Sequence, residues 1–440
     1  MDRRRTHRAR RTFLLSTGAV AAVALLASCS GGSGGSSGSS DKSFTYWSMW
    51  QESEAPAKAL KQSIAEFEKQ TGITVKVQWQ GRQVLQKLQP TLNGSPAADL
   101  IEQATANVQS IMVPTGTAAD LSAVYDQKVT GEDKTVGQVI PEKYQKLGTF
   151  GGKVNIIPFT VTNYALWYNA AKTKPSASDL STWASFLAYL KKQKEAGQTP
   201  ISLDGDIPTY NQFWYTALVV NKLGPGSFHA AAGDKTGATW DQPGYLEAAQ
   251  QVEELAKGGY FVDGYDASKF PAGQQKWATN KAQFMLMGSW LPQEVAPYAA
   301  SGATYAAATF PNNGYSGDKL ASADIAGWVV PAKSDHKAAA EKFIEFMYQK
   351  DQIENYAKTS QTIVARPDVT MSPVMADPQK ILNAATTLYN STDSVVNDYA
   401  DWNTKVFQPL NDKLIKGKLT AAQFIAQVKS QSVSYWKRNS

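Results

Sequence analysis

Cysteine is almost absent from this chain of 440 residues: there is one, Cys29. A single thiol excludes an intramolecular disulfide and a cysteine cage for zinc. Histidine is nearly as scarce, and the two that lie beyond the N-terminal leader, His229 and His336, are far apart in sequence. A zinc or triad enzyme normally needs more than isolated histidines, so each reads as a surface residue. No GxxxxGKS/T loop and no GxGxxG opening a helix occurs, so no nucleotide-binding fingerprint is visible. Charged residues make up only 19% of the chain against 42% hydrophobic ones, which excludes disorder and supplies a large core. The net charge of +6 invites a nucleic-acid reading, but six arginines stand before Cys29 against one acid, Asp2. Without that leader the chain is close to neutral, and no basic nucleic-acid footprint is left. Acidic pairs such as Glu253-Glu254 take helical, solvent-facing positions, and no motif singles out two carboxylates for glycoside hydrolysis.

What is present begins with the leader. Residues 1–12 hold the six arginines and Phe13 to Ala27 is almost wholly small or apolar, a charged n-region before an h-region too short to span a bilayer. Arg10-Arg11-Thr12-Phe13-Leu14-Leu15 resembles the twin-arginine export motif but lacks the polar residue before the pair, so the general secretory route stays open. Leu26-Ala27-Ser28-Cys29 resembles a bacterial lipobox, which implies removal of residues 1–28 and a lipid on the Cys29 thiol. Residues 30–40 are all Gly and Ser, and 29–42 reads as a lipidated cysteine plus flexible linker with a mean reach of about 20 Å. The expected location is the outer face of a bacterial cytoplasmic membrane, with contact through the lipid anchor only.

Beyond the linker, Phe44–Trp50 reads as a strand and 56–70 as a helix with Leu60, Ile64 and Phe67 on one face. Alternation at Ile73, Val75, Val77 and Trp79 gives a second strand, helical spacing returns at Val84, Leu88 and Leu92, and a third strand follows at Asp99. This is the βαβ pattern of a parallel sheet. The pattern restarts after Pro158, with helices at 182–196, 245–257 and 337–348 and short strands at 201–203, 284–287 and 325–330. The expectation is an α/β protein of two lobes whose C-terminal 75 residues are mostly helical.

All twelve tryptophans follow Cys29, and several stand at strand ends or in loops: Trp47, Trp50, Trp290, Trp328 and Trp402. Ligands bind at the carboxyl ends of strands in parallel sheets. Aromatic faces beside Asp, Asn, Gln and Arg suit a sugar, because rings cover its C–H face and polar groups bond its hydroxyls. A carbohydrate cleft is the expectation.

Six stretches carry a family resemblance: FTYWSMWQESE, IAEFEKQTGITVKVQW, ADLIEQ, GGKVNIIPFTVTNYALWYNAAK, FMLMGSW and AGWVVPAKSDHKAAAEKFIEFMYQKDQ, in that order over roughly 43–440. The chain resembles the bacterial extracellular solute-binding proteins of sugar-uptake ABC transporters, the maltose-binding-protein-like group. The resemblance implies a type II periplasmic-binding-protein fold, with lobe 1 at 43–158 plus 325–366 and lobe 2 at 159–324 plus 367–440. Crossings would lie near 158–162, 311–324 and 366. It implies a monomer that binds a carbohydrate ligand between the lobes and delivers it to ABC permease subunits served by a separate ATPase, with no catalytic residue, cofactor or metal. Carried over residue by residue, the ligand site takes Trp50, Gln51 and Glu52 after the first strand, Arg82 after the second and Gln103 after the third. Thr162, Asn163 and Tyr164 come from the crossing, and Asp204, Asn211 and Trp214 from a following loop. Trp290, Asp324, Trp328 and Trp402 complete it. The rivals are a binder of a non-sugar solute in the same fold and a secreted glycoside hydrolase.

Overall fold

The computed structural model describes residues 42–439. The leader, Cys29 and the Gly/Ser tract lie outside these residues. The expected opening pattern forms. Strand β1 (Ser43–Ser48) buries Phe44, Tyr46 and Ser48 on one face. The helix Ala55–Thr71 starts with Pro56 in its first turn, where the missing N–H costs nothing, and turns Leu60, Ile64 and Phe67 inward. It stops at Gly72, whose φ of 70° closes the end through a bond to the Glu68 carbonyl. Strand β2 (Thr74–Trp79) then pairs parallel to β1, and β3 (Leu100–Ala104) pairs parallel to its other edge.

The remaining strands of this sheet are β4 (Ile157–Asn169), β5 (Phe284–Gly288), β6 (Tyr305–Ala308), β7 (Leu320–Val329), β8 (Ile363–Val364) and β9 (Thr387–Tyr389); Thr149–Phe150 and Lys153–Val154 pair apart from it. The order is β8-β4-β7-β3-β1-β2, with β5 and β6 paired to β4 and β9 paired to β7. Strand β4 runs unbroken for 13 residues through Pro158 and Thr162, with an irregularity in its pairing between Pro158 and Thr160. The segment 201–203 is not a strand; Ile201 makes only isolated bridges to Phe261 and Phe284.

Two large cores lie along this sheet. The first joins β1, the helix Ala55–Thr71 and the helix Lys337–Met347, with Phe44, Phe67, Trp328 and Phe343 packed ring against ring. The second joins β5, the helix Pro208–Leu223, the helix Pro243–Lys257 and the C-terminal helix Ala421–Asn439. Strand β4 passes from one to the other: Val161 belongs to the first core and Ala165 to the second. Strand β7 brings the chain back, with Ala321, Ala323 and Ile325 already in the first core. No passage occurs at 366. Arg366 is buried in an ion pair with Glu132 and Asp368, and Val369, Met371, Met375, Leu382 and Ala385 stay in the first core. The chain returns to the second core only between Ala385 and Val395.

Candidate functional site

The carboxyl ends of β1 and β2 deliver Met49, Trp50 and Arg82 to one wall of a cavity of about 550 Å³. Arg82 is clamped in place. Its Nη1 donates to the Met49 carbonyl at 2.8 Å, and Nη1 and Nη2 donate to the two Glu54 oxygens at 3.0 and 2.7 Å. The guanidinium lies 4.2 Å from the centroid of the Trp50 ring, a cation–π stack. Burial would raise the Glu54 carboxyl, but the paired Arg82 and the Gln51 N–H overcome it and hold Glu54 below the usual carboxylate range.

A second wall is Trp290 with Ser289, Gln293 and Glu294. Gly288 makes this wall possible. A Cβ there would come within 2.1 Å of the Trp290 ring, so the indole rests directly on the strand-end backbone. Tyr164 meets the ring edge-on, with centroids 5.5 Å apart. The crossing strands supply the floor: Thr160, Thr162 and Tyr164 from β4, Asp324 and Ala326 from β7. Asp324 accepts from the Tyr164 hydroxyl at 2.7 Å, from the Ser391 hydroxyl at 2.7 Å and from the Ser391 N–H at 3.2 Å. Three passages of the chain between the cores thus meet on one carboxylate. Burial raises its pKa, and these donors offset part of the rise. A second cavity of about 730 Å³ meets the first at Ala104, Tyr164, Asp324 and Ile325. Its polar groups largely engage one another: Asp398 is bonded by Gln109 and His229, and Gln109 by Asn397. His229, expected as an isolated surface residue, is part of that chain.

Of the expected ligand residues, the first cavity gathers Trp50, Arg82, Thr162, Tyr164, Trp290 and Asp324. It does not gather the rest. Gln51 and Glu52 are exposed beside it, Gln51 against Gly81 and Glu52 in a salt bridge with Lys61. Gln103 is buried and ties the end of β3 to Ala104 and Asn107. Asn163 points away from its neighbours in β4 and bonds the Ser322 carbonyl, as alternation along a strand requires. Asp204, its carboxyl pushed up to about 6 by burial against the opposing Gly273 and Gln274 N–H groups, closes the start of the helix Ala272–Ala278. The loop expected at 211–214 is the helix Pro208–Leu223, buried on every side from Asn211 to Asn221. Asn211 there bonds Gly205 and Asp412, and Trp214 packs on Phe261 and Phe310. Trp328 is enclosed by Tyr46, Phe159 and Phe343, and Trp402 is buried with its N–H on Ser432. These three indoles are core residues.

Sequence reasoning missed Glu54, Glu294, Thr160, Gln361 and Thr362, all of which line the cavity. Glu294 had a signal: it follows Trp290 by four residues, one turn along a helix that Pro292 starts. Among the described residues no group of three or more His, Cys, Asp or Glu could hold a metal, and no helix is long and apolar enough to cross a membrane.

The family of bacterial extracellular solute-binding proteins matches residues 62–383. The chain belongs to that family. It is 22% identical over 353 residues to the diacetylchitobiose binding protein NgcE of Streptomyces coelicolor, covering 74% of this chain and 73% of that protein. The bacterial solute receptor AcbH, described as having an exclusive substrate preference for β-D-galactopyranose, superposes with a TM-score of 0.73 at 17% identity, over 90% of this chain and 99% of that one. A cyclo/maltodextrin-binding protein in complex with maltotetraose gives a TM-score of 0.71 at 16% identity, over 91% and 98%. The solute-binding protein fold, two α/β lobes joined by crossing strands, is therefore that of this chain.

Proposed function

We propose that this solute-binding protein is the receptor of an ABC importer for a sugar or short oligosaccharide, held between the Trp50–Arg82 wall and the Trp290 wall. The observation that carries this reading is the pairing of two indoles across one polar-floored cavity at the crossing strands. Rings take the C–H face of a pyranose; Arg82, Thr162, Gln293 and Glu294 offer donors and acceptors to its hydroxyls. The names of its relatives, which bind diacetylchitobiose, galactose and maltodextrin, support the same ligand class. The lobes close on the ligand about the crossings, and the closed form is what the permease recognises. The protein does no covalent chemistry. Glu54 reaches the cavity but is committed to Arg82, which holds it below the usual carboxylate range and unsuits it as the general acid of a glycosidase. It works as a monomer, exported by the twin-arginine or general secretory route and anchored by a lipid on Cys29.

A thermal-shift screen over mono- and oligosaccharides, followed by calorimetry, tests this. A ligand at 100 times its dissociation constant stabilises by about 2.7 kcal/mol. Stabilisation by sugars without product formation, and a smaller radius of gyration when bound, are the expected results. Stabilisation only by amino acids, peptides or polyamines would remove the sugar assignment.

A further inference from the structure

Behind the Trp50 wall lies a buried carboxylate that the cleft itself does not use. Glu102 sits on β3 beside the last residue of β1, and its Oε1 accepts from the Ser48 hydroxyl at 2.6 Å. The same Ser48 oxygen accepts from the Trp50 main-chain N–H at 3.3 Å. A two-bond relay thus runs from a side chain enclosed between strands to the first residue of the ligand wall. Enclosure works against a charge here, and donors around the carboxyl offset part of that. The Tyr46 hydroxyl and the Trp50 indole N–H both act on the Glu102 carboxyl, and the Tyr356 hydroxyl and Arg82 belong to the same neighbourhood. The hydroxyls of Tyr46 and Tyr356 and the Trp50 Nε1 are buried, and none closes a direct hydrogen bond with protein. The Trp50 indole N–H also acts on the Tyr356 hydroxyl; buried donors such as these and the Tyr46 hydroxyl are costly unless the carboxylate beside them draws them in.

We propose that Glu102 is the positioning residue of the ligand wall: through Ser48 and the Trp50 indole it sets where Trp50 stands, and its protonation state makes ligand capture depend on pH. This rests on the reading of the cavity as the ligand cleft. Ionised Glu102 accepts charge-assisted bonds and holds Trp50 under Arg82; protonated Glu102 surrenders one oxygen as a donor and loosens the relay. The change falls within the physiological range, because burial pushes the carboxyl up to about 7 against the pull of Ser48, Tyr46, Trp50 and Arg82. The other groups that face it do not compete there. Tyr46 and Tyr356 are driven well above the usual phenol range by burial, and Glu54, next to Arg82, lies below the usual carboxylate range.

The test uses the full chain labelled with 5-fluorotryptophan, with the Trp50 resonance assigned by Trp50→Phe. In ligand-free protein that resonance is expected to move with pH about a midpoint near 7 and to stay still in Glu102→Gln. Ser48→Ala, which keeps the buried charge but cuts the relay, should shrink the movement. With a sugar found by the screen, affinity is expected to rise roughly tenfold from acid to alkaline pH in the natural chain, the size of one charged hydrogen bond, and to be flat in Glu102→Gln. A resonance that does not titrate in the natural chain, or one that still titrates in Glu102→Gln, overturns the proposal. A titrating resonance in a protein that binds no sugar supports the positioning role and fails the sugar-receptor reading instead.

Discussion

Trp290 and Trp328 look alike in sequence and end in opposite places. Each stands just beyond a glycine, Gly288 or Gly327, next to the crossing strands. Trp328 lies inside β7, where it faces Glu102 of β3 on one side and Ile157 of β4 on the other. A strand flanked on both edges can only send its side chains to the two faces of the sheet, and this face is covered by Phe343. Trp290 lies two residues past the end of β5, where the chain leaves the sheet and the ring can hang over the strand end. What separates a core indole from a cleft indole is its position relative to the end of the strand, not the glycine beside it.

The same substitution at the two sites should therefore give opposite signatures. Trp328→Ala has the largest expected effect, a loss of about 3–5 kcal/mol of stability, as for large-to-small changes in a packed core. Its folded fraction should lose far less affinity than the Trp290 variant, which calorimetry below its melting range would check. Trp290→Ala should cost about 2–4 kcal/mol of binding, combining lost stacking with lost burial, or roughly 30- to 1000-fold in affinity. Its ligand-free melting curve should barely move, and Trp290→Phe should lose less. A fall in melting temperature with intact affinity would move Trp290 into the core beside Trp328.

A second comparison is with the charge behind the wall. Burial pushes folded Glu102 up to about 7 from an ordinary value of 4.5. Between these values the folded state holds a proton that the unfolded state has released, so stability falls as pH rises through this window and the loss is complete above it. At about 1.4 kcal/mol per pH unit the loss is on the order of 3 kcal/mol. Urea melts at several pH values should show Glu102→Gln gaining on the natural chain from pH 5 to 8. Equal slopes for the two proteins would mean that Glu102 is not the group responsible. The smallest effect is expected at Arg82, which is half exposed. Arg82→Lys keeps the charge but loses the forked contact with Glu54 and much of the ring stack, about 1 kcal/mol of binding, with little change in stability. A larger loss of stability than of affinity would make the clamp a structural rather than a ligand wall.

The strand–helix–strand opening was legible because β1, β2 and the helix between them each have one wet face, so their periodicity shows. The long helix Pro208–Leu223 was not, because it is buried all round and carries no polar stripe; Asn211 and Trp214 were misplaced with it. Arg82, Tyr164 and Trp290, named through the family resemblance, do line the cavity, at strand ends and crossings. Asp204 was not, since a carboxylate that closes a helix start and one that meets a ligand have the same letter and the same kind of loop. The third passage is carried by the three-residue strand β9, too short to leave a periodic trace. Glu102 is a lone acid in an apolar strand, and only its enclosure reveals that it is not a solvated surface residue.

The meeting of three passages on Asp324 has a thermodynamic consequence. At that point β4, β7 and the segment after β9 are joined by hydrogen bonds to one carboxylate. Polar contacts such as these enter a heat-capacity change with the opposite sign to apolar burial. A negative heat-capacity change on ligand binding should then count the apolar area covered between Trp50 and Trp290. Calorimetry over a range of temperatures becomes a gauge of how much apolar surface the ligand and the closing lobes hide together.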